Sequence, residues 1–282
     1  MDKIALLTDS ASDICTEDLN KYNINLLPFK IIFSDKEYDD KLEITSDVLY
    51  ELLPREIPKT SLPSIERLNN ILNRLADEGY THAIIVTISN EFSGTYNSMR
   101  LACEDFDRLK THVFNSKSLS MAEGVVVLEA AKLIEEGKSF EEIVRLLPDL
   151  RSKIDIFFTI DTLEYLRKGG RIGRVAGTIG DVLNLKPVIT IDENGSFRTY
   201  CKARGKKQST SKLLKIAKSY TENNKCKFWV MDGNALDDAQ TLCENIKNLN
   251  NVVDCKLGYS IGPALGVHTG PGLFGFIVEK VD

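Results

Sequence analysis

Hydroxyl side chains follow the longest β-rich run of the sequence, where a strand leads into a helical pattern. Residues 81–88 are nearly continuous in β-forming residues, and Ser93, Gly94 and Thr95 lie between them and the next helical stretch. Ligands of open α/β sheets collect beyond the carboxyl ends of strands, and the free N–H groups of a helix N-terminus favour an anion. Ser93 is therefore placed to help hold an anionic group. The alternative interpretation is an ordinary helix cap, with Gly94 supplying the turn.

Residues 59–64 form a second hydroxyl-rich segment. They precede a helical pattern that begins near residue 65, and Ser64 is suited to start that helix. Thr60 and Ser61 remain free to face a ligand, although a hydroxyl-bearing loop ahead of a helix is common.

His268 and Thr269 lie in an unusual setting for a core histidine. The segment 262–272 contains four glycines and two prolines, and His268 is one of only three histidines in the chain. Glycine lets the backbone approach a ligand closely and proline fixes its path, so we predict a stiff loop that presents His268. His82 and His112 lie in or at the start of predicted strands and are interpreted as structural.

Asp9, at the end of the first predicted strand, allows two interpretations: it caps the following helix, or it orients a histidine. In the second case, Ser93 as nucleophile and His268 as base would give a hydrolase acting on an acyl ester. Against this alternative, Ser93 lacks the Gly-x-Ser-x-Gly spacing of a strained elbow. A regulatory module that senses a small anion is a further alternative, and it would contain no acyl tunnel.

Two groups of cations are candidate contact sites for a phosphate or an acidic partner. Residues 166–174 concentrate four cations around three glycines and include Arg171, and a second group includes Arg204. Guanidinium forks suit both kinds of partner. A solvated basic face is the alternative interpretation of each group.

Alternating strands and helices predict an α/β protein of two domains. The pattern over 1–155 indicates an N-terminal domain with a three-layer, parallel-sheet arrangement. After a change of pattern, 156–282 indicate a second α/β domain with a mixed sheet, including a hairpin turn at 192–195. A chain of 282 residues also slightly favours two domains over one.

Composition narrows the function classes. The net charge of -5 and the absence of a long basic run argue against nucleic-acid binding. We find no signal-peptide core and no run of about 20 apolar residues, so we expect a cytoplasmic protein that is not integral to a membrane. The six cysteines form no Cys-x-x-Cys pair, which disfavours a zinc site and a disulfide framework.

Five segments resemble the DegV family in their order and spacing: residues 8–10, 60–64, 93–98, 166–173 and 268–272. The resemblance covers almost the full length of the chain. It implies a two-domain α/β protein that binds a long-chain fatty acid, such as palmitate, stearate or oleate, between its domains. It further implies that a separate fatty acid kinase receives this acid and makes an acyl phosphate for phospholipid synthesis.

The resemblance also implies individual roles. The carboxylate contacts fall on Thr60, Ser93 and His268, with Ser61, Gly94, Thr95 and Thr269 as close neighbours. Arg171 and Arg204 would meet the kinase. At Leu62 the family often has glutamine, so a polar contact is expected to be absent there. Because no acidic pair, metal cluster or Walker-type loop accompanies these residues in the sequence, we expect a carrier without catalytic residues, metal or cofactor.

Overall fold

The computed structural model describes residues 2–178 and 185–281, apart from the side chains of residues 176 and 178. Four parallel strands form its first sheet, in the order β2-β1-β6-β7. Their bounds are Ile4–Asp9 (β1), Ile24–Leu27 (β2), His82–Thr87 (β6) and Lys110–Asn115 (β7). β1 and most of β6 are buried because helices cover both faces of the sheet.

The covering helices give this part of the chain three layers. Leu68, Leu72 and Met99 pack on one face of the sheet, and Val125 and Val126 belong to the core on the other. The helices of this half of the chain are α1 (Thr16–Lys21), α2 (Ser46–Leu52), α3 (Ile65–Asp77), α4 (Thr95–Glu104), α5 (Met121–Glu135) and α6 (Phe140–Ser152). α3 and α4 supply the first face, and α5 supplies the second.

Six strands form a second, mixed sheet in the order β10-β9-β8-β13-β11-β12, in which only β11 and β12 are parallel. The strands are β8 (Ile154–Thr159), β9 (Val188–Ile191), β10 (Phe197–Cys201), β11 (Lys225–Gly233), β12 (Val252–Ser260) and β13 (Leu273–Val281). The accompanying helices are α7 (Glu164–Lys168), α8 (Gly205–Thr221), α9 (Leu236–Lys247) and α10 (Pro263–Thr269).

Side chains alternate along these strands, so the two faces of the second sheet belong to two different hydrophobic cores. Phe274, Phe276 and Val278 of β13 pack with α8 and α9, whereas Leu273 and Ile277 join the core that also contains α5. This is the period of two that a strand imposes on its side chains. The second sheet therefore presents one complete face toward the first half of the chain.

The α/β class, the parallel first sheet and the mixed second sheet confirm the predicted fold class. A third sheet of three antiparallel strands was not predicted: β3 (Lys30–Ile32), β4 (Glu37–Asp39) and β5 (Lys59–Ser61), in the order β4-β3-β5. Each of its strands has three residues, too few for a period to be recognised. Thr60 and Ser61 therefore lie in a strand and not in the expected loop.

The predicted stiff loop around His268 is wrong, because this segment forms helix α10. Pro263 occupies the first turn, where a missing N–H is harmless, and Gly270 ends the helix at a positive φ of 67°. Pro263 and Gly270 thus mark the start and the end of a short buried helix.

The predicted domain ranges 1–155 and 156–282 stay a prediction, and they include residues 1, 179–184 and 282, which lie outside the described residues. Within the described ranges, no helix combines the length and apolar character needed to cross a bilayer.

Candidate functional site

A cavity of about 220 Å³ is lined by residues of both halves of the chain. One group of lining residues is polar, and we call it the polar end of the cavity: Thr60, Ser61, Ser93, Gly94, His268 and Thr269. The remaining lining residues are mostly apolar and include Phe29, Ile88, Phe158, Met231, Leu265 and Ile277. The structure thus brings six of the seven predicted ligand-contacting residues to one cavity.

The hydrogen bond between Thr60 and His268 joins two elements at the polar end. Thr60 is the central residue of β5, and its Oγ1 lies 3.0 Å from Nε2 of His268 in the last turn of α10. The pairing of Thr60 with Ile31 of β3 in the three-stranded sheet also fixes the position of Thr60. A strand and a buried helix therefore hold this pair, which limits its freedom before any ligand arrives.

Ser93 stands just before the N-terminus of α4, as the sequence suggested. Its Oγ lies 2.8 Å from Oγ1 of Thr95 and accepts a hydrogen bond from the Thr95 N–H at 3.3 Å. Gly94 is the cap residue of α4. Thr95 is buried and hydrogen-bonded to Ser93, but it is not among the residues that line the cavity. A hydroxyl and the open N-terminal turn of a ten-residue helix therefore face the polar end.

His268 is neutral at physiological pH. Burial, with a smaller contribution from the charge of Arg171, lowers its pKa to about 4. Its Nδ1 is buried and has no hydrogen-bond partner among the described residues. Gly169 makes room for the ring, since a Cβ built there would lie 2.2 Å from Nδ1. The site therefore offers a neutral imidazole with one hydrogen-bonding atom still unsatisfied.

The two predicted partner-binding arginines lie in different places. Arg171 lines the cavity, and its guanidinium donates to the backbone oxygens of Phe92 (3.4 Å) and Gly169 (2.5 Å). Arg204 precedes α8, where its N–H donates to Oε1 of Gln208 at 2.5 Å, and it is not among the lining residues. Arg171 thus belongs to the rim of the cavity itself.

Asp9 has the contacts of a cap. Its Oδ1 accepts from the N–H of Ala11 at 3.0 Å, and its Oδ2 accepts from the N–H of Ile88 at 2.9 Å. Its carboxylate joins β1 to the end of β6, while His268 contacts Thr60 and Ser93 contacts Thr95. These contacts do not form the chain of hydrogen bonds that a hydrolase triad requires.

Four buried carboxyl groups lie beside the cavity, and we call them the acidic cluster: Asp9, Asp13, Asp40 and Glu123. Asp13 is the most heavily bonded. Its Oδ1 accepts from the N–H of Gly262 at 2.9 Å and pairs with Lys41 at 3.2 Å, and its Oδ2 accepts from the hydroxyl of Ser120 at 2.7 Å. Because Gly262 immediately precedes α10, Asp13 ties this helix to the first half of the chain.

Burial changes the charge of the acidic cluster. It raises the pKa of Asp9 to about 7 and that of Asp40 to about 6, and it raises the pKa of Glu123 well above its ordinary value. Hydrogen bonds from Ser10 and from the N–H of Ala264 oppose the shift at Asp40. Part of the cluster therefore holds protons near neutral pH.

The apolar lining residues could not be named from the motifs. Phe158, Gly275 and Ile277 come from central strands of the second sheet, whose alternation is visible in the sequence. That alternation predicts which residues share a face. It does not predict that this face borders a cavity, because the opposing wall comes from the first half of the chain.

Comparison with known proteins places the chain among close relatives. Residues 3–281 match the family model described as "Uncharacterised protein, DegV family". A DegV domain-containing protein of Clostridium acetobutylicum is 44% identical over 280 residues, which covers 99% of this chain and 100% of that one.

Two solved structures are similar to this chain over nearly its whole length. A fatty-acid-binding DegV family protein from Thermus thermophilus is 31% identical, with a TM-score of 0.91 over 99% of this chain and 100% of that one. A stearic-acid-binding protein from Eubacterium ventriosum is 30% identical, with a TM-score of 0.88 over 99% and 98% of the two chains.

Proposed function

Because this chain belongs to the DegV family, and because its cavity joins a polar end to apolar walls, we propose that it binds one long-chain fatty acid. The carboxylate lies at Thr60, Ser93 and His268, with Ser61, Gly94, Thr95 and Thr269 around it. The acyl tail occupies the apolar part of the cavity, between the predicted domains. The single observation that carries this proposal is that neutral hydroxyls and an imidazole line one end of an otherwise mostly apolar cavity.

The polar end suits a carboxylate. A carboxylate that leaves water needs several hydrogen bonds, or else it takes up a proton. The hydroxyls of Thr60 and Ser93, the imidazole of His268 and the N-terminus of α4 can supply such bonds. Arg171 at the rim adds a positive charge, which is already close enough to lower the pKa of His268. The carboxylate is thus held largely by dipoles, with one cation nearby.

The apolar walls suit an alkyl chain. Burial of each methylene contributes roughly 0.8 kcal/mol, so a long tail can be bound tightly without any chemical step. Palmitate, stearate and oleate are ligands of this kind. We therefore propose a carrier and not an enzyme.

Lipid extracted from the purified protein and identified by mass spectrometry tests the ligand class. We expect one long-chain fatty acid for each protein molecule. Absence of any fatty acid, together with failure of added palmitate or oleate to bind, would overturn the proposal and favour a small-anion module. A fluorophosphonate adduct on Ser93 would instead favour the acyl-ester hydrolase.

The double variant Ser93→Ala with His268→Ala tests the carboxylate site. Hydrogen bonds to charged groups are worth about 1.5–3 kcal/mol each, so we expect the affinity for palmitate to fall about a hundredfold or more. Ser219→Ala is the matched control, because Ser219 is an exposed residue of α8 whose hydroxyl donates to the backbone oxygen of Ile216, away from the cavity lining. Unchanged affinity in the double variant would contradict the assigned site.

We further propose that the bound acid is offered to a fatty acid kinase, with Arg171 and Arg204 at the contact surface. Both side chains are exposed, and Arg171 lies at the cavity rim. Arg171→Ala is expected to reduce acyl phosphate formation by the kinase more than it reduces fatty acid binding. Equal loss of both would contradict this role. The six free cysteines fit a reducing compartment, so we propose the cytoplasm as the location.

A further inference from the structure

Strand β13 supplies four residues to the cavity lining. Leu273, Gly275 and Ile277 share one face of the strand because side chains alternate, whereas the side chain of Phe276 packs in the core with α8 and α9. Leu273 lies four residues after Thr269, so this end of β13 is next to the polar end of the cavity. The three positions therefore mark a path that leads away from the polar end.

The middle position of this path has no side chain. Gly275 pairs with Phe158 on one neighbouring strand and with Met231 on the other, and all three residues line the cavity. Gly275 adds no side chain to this row, so the cavity wall is formed here by Phe158 and Met231. A Cβ at Gly275 would lie 2.3 Å from the backbone oxygen of Phe157 and 2.5 Å from Cβ of Phe158, so the close approach of β8 requires glycine at this position.

The next row of the sheet contains no glycine. Ile277 pairs with Ile156 and with Trp229, which places three large side chains in line across β8, β13 and β11. Ile277 and Ile156 still line the cavity, whereas Trp229 does not. The row beyond contains Glu279, which is outside the cavity lining.

Beyond Ile277 the surroundings are polar. Glu279 is buried and forms an ion pair with Lys227 at 3.4 Å. Lys132 and Glu129 of α5 form a second ion pair and act electrostatically on Glu279. An alkyl tail that entered this region would strip water and partners from charged groups without replacing them, which is unfavourable. The apolar path therefore has a definite end.

We propose that Ile277 sets the maximum acyl chain length of the bound fatty acid. This inference rests on the proposed function and adds the residue that ends the tail site. The four residue-to-residue steps from Leu273 to Ile277 span roughly 13 Å. An extended alkyl chain advances about 1.2 Å per bond, so roughly ten bonds of the tail lie alongside this stretch, after the carbons nearest the carboxylate. Ile277 is thus the residue that limits acyl chain length.

A chain-length series tests the inference. Straight saturated acids from ten to twenty-two carbons are measured by displacement of a fluorescent fatty acid from the wild-type protein and from Ile277→Ala, Ile277→Val and Ile277→Phe. In the wild type we expect affinity to rise about fourfold for each added methylene until a cut-off length, beyond which it stops rising.

The variants should move this cut-off. We expect Ile277→Ala to move it toward longer acids by about two carbons, Ile277→Val to move it less, and Ile277→Phe to move it toward shorter acids. Val278→Ala is the matched control, since Val278 is the adjacent buried residue of β13 and faces α8 and α9. It should lower the melting temperature while the cut-off stays in place.

The outcomes separate the inference from the function on which it rests. If wild-type protein binds the acids but all Ile277 variants keep its cut-off, Ile277 does not end the tail site and the inference is wrong. If Val278→Ala shifts the cut-off as much as Ile277→Ala, the effect comes from general loosening of the sheet and the inference is also wrong. If no acid binds the wild type, the proposed function fails together with it. Should Ile277→Ala not fold, the milder Ile277→Val and the opposite shift in Ile277→Phe decide the question.

Discussion

Two buried polar regions lie beside the same cavity, and they differ in charge and in whether their side chains line the cavity wall. The acidic cluster contains four carboxyl groups, and Asp13 alone receives bonds from Gly262, Ser120 and Lys41. The polar end of the cavity contains no carboxyl group, and its residues line the cavity, whereas none of the four carboxyl groups does. Each region has one buried atom without a hydrogen-bond partner among the described residues, namely Nδ1 of His268 and Oε2 of Glu123.

The difference separates a structural polar cluster from a binding site. Buried polar groups that satisfy one another hold elements together, and removal of one leaves its partners unsatisfied. Polar groups that line a cavity are available to a ligand. Burial and residue type alone do not distinguish these cases. Position at the cavity wall does, and three experiments use this contrast.

Removal of a carboxylate from the acidic cluster should have the largest effect on folding. Asp13→Ala leaves Lys41 and the N–H of Gly262 without their partner, so we expect a loss of about 3–5 kcal/mol in the free energy of unfolding. Urea denaturation of the ligand-free protein measures it. Ser93→Ala at the polar end should cost less than about 1.5 kcal/mol in the same assay. Equal losses would erase the distinction between the two regions.

Crowding at the polar end should affect binding as well as folding. In Gly169→Ala the new methyl group meets Nδ1 of His268, so the ring must move and the overpacking costs about 1–3 kcal/mol. We expect fatty acid affinity to fall about tenfold or more, measured by displacement of a fluorescent acid. Gly177→Ala is the control, since a Cβ there meets no atom of the described residues within 4 Å. Unchanged affinity in Gly169→Ala would show that the position of His268 does not matter.

The two regions should also respond oppositely to pH. Asp9 and Asp40 have raised pKa values, of about 7 and about 6, so between pH 4 and 7 the folded protein keeps protons that the unfolded chain has lost. Their contribution to stability is therefore present at low pH and is lost as pH rises through these values. His268 has the opposite effect on stability. Its pKa is lowered to about 4, so below pH 6.5 the unfolded chain binds a proton that the folded protein does not, and this contribution to stability falls as pH falls.

We expect the carboxylates to dominate, with the free energy of unfolding falling by on the order of 1 kcal/mol per unit between pH 5 and 7. Urea denaturation across this range measures the slope. Asp9→Asn should flatten it, and His268→Ala should steepen it below pH 6.5. Stability that rises with pH over the whole interval would contradict the assignment of protons to the acidic cluster.

Local patterns in the sequence were sufficient for much of the fold. Long strands and helices, such as His82–Thr87 and Ile65–Asp77, are visible because their periods persist over several residues. The small sheet was missed because three-residue strands carry no period, and α10 was mistaken for a loop because its glycines and prolines dominate the local signal.

The sequence by itself determined the α/β class, the strand-to-helix position of Ser93 and the family, because these depend on neighbours along the chain and on motifs in fixed order. Only the tertiary structure decided that Thr60 meets His268 at 3.0 Å across 208 residues, that Asp9 serves as a cap, and that β8 packs too closely on Gly275 to admit a Cβ. These facts depend on which faces of distant elements meet, and that follows from packing of the whole chain and from no local pattern.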